Sequence, residues 1–274
     1  ITARAVLRPS PDNTGASNVI ITITQQPITI DTTIDNRGTR FMGPIQMGFT
    51  AALNNVLGMH EKTQLRTVQT GNFDELNYYE ISHQQQLTSE GTTLNLVAAI
   101  TDSDAGHTLS TLSVIGRDRF LSAEVSHPLI RSRAENLYAR IQYDNRITKV
   151  STLGSALYED RLNVFRAGGS YDFVDSYSGV NRMDAVVSKG FGWDDNSSTG
   201  VRSRTTGDTS FFKLEADVSR LQPIDGALAL LLSTGGQWSA NSLLSSEQYG
   251  VGGVRYGSAY DNSEIVGDSG IAGR

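Results

Sequence analysis

Residues 211–219 read FFKLEADVS, and their period decides the fold. Phe212, Leu214, Ala216 and Val218 fall on one side of an extended chain, and Lys213, Glu215, Asp217 and Ser219 on the other. Successive side chains of a β-strand point to opposite faces, so this stretch predicts a strand with one continuous apolar face and one close-set charged face. Soluble strands also alternate. A face that carries three charges within five residues, backed by an unbroken apolar face, suits a wall between lipid and water.

The same period recurs outward from this stretch. PITIDTTIDN (27–36) sets Ile28, Ile30, Thr32 and Ile34 against Thr29, Asp31, Thr33 and Asp35. PIQMGFTAAL (44–53) sets Ile45, Met47, Phe49, Ala51 and Leu53 against Gln46, Gly48 and Thr50. Leu94, Leu96, Ala98 and Ile100 share a face in TTLNLVAAIT, as do Leu137, Ala139, Ile141 and Tyr143 in LYARIQYDNR. Short breaks at NNVLG (54–58), SEG (89–91), RAEN (133–136), SYSGVN (176–181) and QPIDG (222–226) separate the runs. Longer, more polar breaks lie between them, such as TDSDAGHTLSTLS (101–113) and DDNSSTGVRSRTTGDTS (194–210). Short turns at one end and long loops at the other predict an all-β, transmembrane antiparallel β-barrel. About eleven strands precede the end of the chain. The competing architecture is a soluble β-sandwich or β-solenoid, but its strands average only about five or six residues.

Composition bounds the function. The chain has 274 residues, 38% hydrophobic and 19% charged, with a mean hydropathy of −0.27. No run reaches the roughly 18 apolar residues of a transmembrane helix, a test that barrel strands escape. There is no cysteine, so a disulfide framework, a thiolate metal site and a cysteine nucleophile are excluded. A net charge of −6 and a pI near 5.2 argue against a nucleic-acid partner. His60, His83, His107 and His127 form no ligand-like pair, and no metal or cofactor is expected. GDTS (207–210) and GDSG (267–270) resemble serine-hydrolase fragments, but no histidine context accompanies them, and no enzyme is expected. Arg131 and Arg133, in VSHPLIRSR, are expected at a membrane boundary beside a turn.

The chain resembles the outer-membrane transporters of two-partner secretion, the TpsB family of the haemolysin secretion/activation type (ShlB/FhaC/HecB-like). ITARAVL followed by a turn and VIITIT is similar to the closing strands of that family's periplasmic POTRA domains. IDNRGTRFMGPIQMG resembles its first barrel hairpin, LNNVLGMHEKTQL its first periplasmic turn, and VSHPLIRSRAENLYA a mid-barrel strand-turn-strand. SSEQYGVGGVRYGSAYDNSEIVGDSGIAG is similar to its long sixth extracellular loop. The resemblance implies a sixteen-stranded barrel behind two POTRA domains, truncated here to about eleven strands. Residues 1–26 would then be the C-terminal end of a POTRA domain. Residues 27–274 would be an incomplete barrel ending just after the long loop, so the sequence is expected to be a fragment. It further implies a secreted TpsA-type exoprotein (haemolysin or adhesin) as partner, outer-membrane lipid around the wall, and the outer membrane of a Gram-negative bacterium as location. A porin and an outer-membrane assembly factor are the alternatives.

The long loop is the candidate site. Its glycines allow positive φ and close approach to a wall, and an arginine offers a fork of donors to a carboxylate. The family signature is Val-Arg-Gly followed by an aromatic residue. It aligns either with the VRYG stretch, through Arg255, Tyr256 and Gly257, or with the GSAY stretch, through Gly257, Ser258, Ala259 and Tyr260. A GRAYD-like variant of the signature favours the second. Arg255 is the expected latch, with an acidic partner expected on a later strand beyond this chain. Gly267 and Asp268 would form the loop's exit.

Overall fold

The computed structural model describes residues 2–12, 14–193 and 200–274. The first six residues of the long break at 194–210 lie outside the described residues. The chain is almost wholly β. Strands β1 (Thr2–Pro9) and β2 (Ser17–Thr24) pair only with each other, in antiparallel register from Thr2↔Thr24 to Pro9↔Ser17.

A twelve-stranded antiparallel sheet follows. Its first five strands are β3 (Ile28–Asp35), β4 (Gln46–Asn54), β5 (Glu61–Thr70), β6 (Leu76–Gln86) and β7 (Thr93–Asp104). Next come the long β8 (Ile115–Arg131), β9 (Glu135–Thr152) and β10 (Ser155–Val174), then β11 (Val180–Phe191), β12 (Phe212–Asp225) and β13 (Leu228–Ser239). Each strand pairs with its sequence neighbour. A small hairpin, β14 (Tyr249–Val251) with β15 (Ile265–Gly267), then departs from the sheet. The chain returns as β16 (Gly270–Gly273), which pairs with β13. β3 and β16 are the edges of the sheet.

The five short breaks read from the sequence are the β4–β5, β6–β7, β8–β9, β10–β11 and β12–β13 turns. They share one end of the sheet. At the other end the β3–β4, β7–β8 and β11–β12 connections are longer, while β5–β6 is short and β9 and β10 are joined by Leu153 and Gly154 alone. Both residues have positive φ, 49° and 76°, as a two-residue hairpin turn of matching twist requires. Here the strands themselves are long, 18 and 20 residues, where about 9–11 cross a bilayer.

The packing is inverted relative to a soluble protein. In β8 exposure alternates residue by residue, with Leu121, Ala123 and Val125 outward and Phe120, Ser122 and Glu124 inward. In β12 the outward Phe212, Leu214, Ala216 and Val218 are exposed, while Lys213 on the inner face is 4% exposed. Ile141, outward on β9, is 65% exposed. So large an apolar outer surface is stable only against lipid or another apolar partner.

A compact hydrophobic cluster does exist, at the long-loop end. β10 pairs with β11 only from Asn163↔Phe191 onward. Above that level residues 200–211 run beside β10, with Glu159 N donating to Val201 O at 3.0 Å and Ser203 N to Asp160 Oδ1 at 2.9 Å. Leu162 and Val164 of β10 meet Phe211, Leu243 and Leu244 from two loops, all fully buried. Gly190 of β11 admits this loop, since a Cβ there would sit 2.3 Å from Thr209 O. The cluster fastens the start of the 240–269 loop to the wall.

Candidate functional site: the inward loop

Residues 240–269 leave β13 and fold back onto the inner face of β10–β13. Besides the apolar cluster at Leu243 and Leu244, three sets of polar contacts tie them to this face. The first is Glu247, in a single 3₁₀ turn (Ser245–Glu247). Its carboxylate lies 2.7 Å from Arg166 Nη2 and 2.8 Å from Lys213 Nζ. Arg166 also donates to Asp144 Oδ2 (2.7 Å) and Ser188 Oγ (2.9 Å), so the loop joins a network spanning β9 to β12. Burial works against the Glu247 charge, but the two cations outweigh it, and the carboxyl pKa is held below its ordinary value.

The second attachment gathers the two stems of the loop. Gln237 Nε2 on β13 donates to Glu247 O and to Asp268 O, both at 3.0 Å. Asp268 pairs with Arg204 and accepts from Leu243 N and Gln248 Nε2, each at 3.2 Å. Burial opposes its charge too, and these donors more than compensate, so its pKa is lowered.

The third attachment is the tip. Arg255 Nη2 lies 2.5 Å from Asp217 Oδ1 on β12, and Tyr256 OH donates to the same oxygen at 3.3 Å. Tyr256 is 4% exposed, whereas the Arg255 side chain is 66% exposed and lies 5.4 Å from the Tyr256 ring. Tyr249 OH donates to Gly235 O on β13 at 2.8 Å. Gly235 makes this approach possible: a Cβ there would lie 2.0 Å from Asp217 Oδ1 and 2.8 Å from Tyr256 OH. Gly252, Gly253 and Gly257 turn the tip with φ of +127°, +83° and +84°. Gly252 N donates to Tyr256 O and Gly253 N to Tyr260 O. On its far side the tip touches the connection after β3, where Asn262 Nδ2 donates to Arg37 O at 3.2 Å.

Of the residues named from the sequence, Arg255 and Tyr256 reach the wall, and Gly257 makes a turn. Ser258, Ala259 and Tyr260 are exposed at the tip. Gly267 pairs with Tyr249 at the end of β15, and Asp268 binds the loop stem. Within this chain the carboxylate facing Arg255 is that of Asp217 on β12, whereas the expected partner was on a later strand outside it. Sequence reasoning missed Glu247, Gln237, Arg166 and Arg204. Lys213, Glu215 and Asp217 were already visible as an inward charged row, the one signal pointing to where a loop could attach. His83 and His127 each bond a threonine, Thr63 and Thr92, at 2.9 and 2.8 Å. Asp268 of the GDSG stretch pairs with an arginine rather than a histidine. No group of three metal-ligating side chains occurs among the described residues.

The family model described as haemolysin secretion/activation protein ShlB/FhaC/HecB matches residues 15–274. No curated protein matches the chain. Among solved structures it is similar to CdiB from Escherichia coli, with a TM-score of 0.84 at 19% identity over 98% of this chain and 51% of that one. CdiB from Acinetobacter baumannii is similar at a TM-score of 0.69 and 15% identity, over 98% and 50%. BamA from Haemophilus ducreyi, lacking POTRA domains 1–3, follows at 0.58 and 10%, over 92% and 49%. The chain thus spans about half the length of the structures it matches.

Proposed function

Because the chain belongs to the haemolysin secretion/activation protein family, we propose that it forms the wall and inward loop of a pore in the outer membrane of a Gram-negative bacterium. The pore carries an unfolded partner exoprotein, of the secreted TpsA type, from the periplasm to the cell surface. Residues 1–26 close a periplasmic POTRA domain and residues 27–274 belong to the barrel. The outer face of the wall contacts membrane lipid. The observation that carries this reading is the loop at 240–269, docked on a polar inner wall by Arg255, Tyr256 and Glu247.

Transport of this kind needs no catalytic residue. A polar, charge-mixed wall lets an extended chain pass without an apolar surface to hold it. The loop occupies the same inner face, so it sets how much of the lumen is open. Arg255, Tyr256 and Gly257 act as the latch, with Gly267 and Asp268 at its exit. Exposed edges of the POTRA sheet can bind an extended substrate by adding a strand.

The absence of cysteine offers a clean test. Cysteines at positions 255 and 217, joined by a bifunctional thiol crosslinker with an internal disulfide that spans the length of the arginine side chain, should pin the tip to β12, stop secretion of one exoprotein and release it again on reduction. Unimpaired secretion by the crosslinked double mutant would falsify the loop's role. In a strain deleted for the gene, loss of many outer-membrane proteins with normal exoprotein secretion would instead identify an assembly factor.

A further inference from the structure

Three buried side-chain polar atoms lack a hydrogen-bond partner among the described residues: Arg146 Nε, Ser246 Oγ and Glu247 Oε2. All three residues line one cavity of about 330 Å³ between the base of the inward loop and the β9–β12 wall. Such atoms are rare in folded proteins, and three around one cavity ask what fills it. Glu247 Oε2 is still ion-paired, 2.8 Å from Lys213 Nζ.

The cations around the cavity are not equivalent. Arg140 holds Asp184 through two bonds of 2.8 and 2.7 Å. Arg166 is shared by Asp144 and Glu247, and Lys213 by Glu215 and Glu247. Arg146 is different. Its Nε lies 3.7 Å from Asp118 Oδ2, beyond hydrogen-bond distance, and its guanidinium rests 4.9 Å from the centre of the Phe120 ring. The lining therefore includes one guanidinium whose Nε has no acceptor, on a side chain 35% exposed, and one hydroxyl without a partner, while the carboxylates of Asp144, Glu215 and Glu247 are each held by another cation. A guanidinium can only donate, so a group that satisfies it must accept, and its charge favours an anion. The cavity opens on the inner face, away from lipid, so the anion arrives through the lumen.

We propose that this cavity docks a carboxylate side chain of an extended polypeptide in the lumen, with Arg146 supplying the charge and Ser246 the second hydrogen bond. The proposal rests on the pore reading above. It gives the wall a preferred foothold for acidic residues, displaced toward the loop base, so that substrate binding and loop docking share Glu247's surroundings.

The test uses the intact purified protein and a hexaglutamate peptide, with hexaserine and hexalysine as controls, titrated by calorimetry. Hexaglutamate should bind more tightly than either control. R146Q should weaken it about tenfold or more, as expected for loss of a charge-assisted bond. S246A should weaken it several-fold, and R146K should fall between wild type and R146Q. The loop variant S246A keeps the test decisive if R146Q fails to fold. Equal affinity for hexaglutamate and hexaserine overturns the site, and so does hexaglutamate affinity unchanged in the folded variants; the cavity is then a water pocket. Bilayer conductance on the same preparations separates the two ideas. Conductance without carboxylate preference removes the site and leaves the pore, whereas carboxylate binding without conductance removes the pore.

Discussion

Asp217 Oδ1 takes hydrogen bonds from both Arg255 and Tyr256, yet burial shows that the weight of the loop hangs elsewhere. The Arg255 side chain is largely in water, and exposed ion pairs contribute only about 0–1 kcal/mol. Glu247 and Lys213 are buried and the Arg166 side chain is only 18% exposed, and removing one partner of a buried pair costs about 3–5 kcal/mol. Arg255→Lys should therefore loosen only the tip, whereas Glu247→Gln should free the base; protease cleavage within 240–269 on intact cells would rank the two. Gly235→Ala should loosen the tip more than Arg255→Lys does although it lies outside the motif, because its methyl group collides with the Asp217 carboxylate and the Tyr256 hydroxyl that make the tip contact. Acid gives a further check. The Glu247 pKa is depressed, so its contribution is complete above the ordinary carboxylate value of about 4.3 and disappears as pH falls through the lower folded-state value. The loop should stay protected at pH 5 and become cleavable only in stronger acid. Release between pH 6 and 5 would show that Glu247 is not the anchor.

Among the strands, β10 lies beneath an ion pair that joins its two neighbours. Arg140 on β9 reaches over it to grip Asp184 on β11 with two short bonds, and β10 presents Gly168 opposite Arg140. A Cβ at Gly168 would meet Ala185 O at 2.6 Å, so the glycine keeps β10 and β11 in register beneath the bridge. Gly168→Ala should destabilise the barrel by about 1–3 kcal/mol, the usual cost of overpacking. The gel shift between folded and heat-unfolded forms should move to lower temperature. No change there, with the Arg140–Asp184 bridge intact, would mean that the sheet absorbs a methyl group at this point. The use of Gly168 could not be read from the sequence, because a bridge from β9 to β11 leaves no trace in the period of β10.

At the scale of the molecule, a lysine on the two faces of one wall should behave oppositely. Ile141→Lys places a charge on the exposed apolar face, at a cost of about 2–4 kcal/mol near the bilayer midplane, whereas Ser82→Lys lies on the polar inner face. Because Ser82 lines an inner cavity of about 490 Å³, which has room for a lysine, membrane fractionation should show the first depleted from the outer membrane and the second retained. Equal retention would argue against lipid on the outer face. The sequence by itself determined the wall. Strand identity, the assignment of faces, the alternation of short and long connections and the place of the long loop after β13, the eleventh strand of the sheet, all follow from a period of two and from turn residues, which act over a few neighbours. Only the tertiary structure decided where that loop goes. Arg166 and Glu247 are 81 positions apart, and Arg255 meets Asp217 across a strand and a hairpin. Leu162, Val164, Phe211, Leu243 and Leu244 come together from a strand and two loops. Such meetings depend on how strands stagger and how a loop packs back on them. Local alternation carries no information about either.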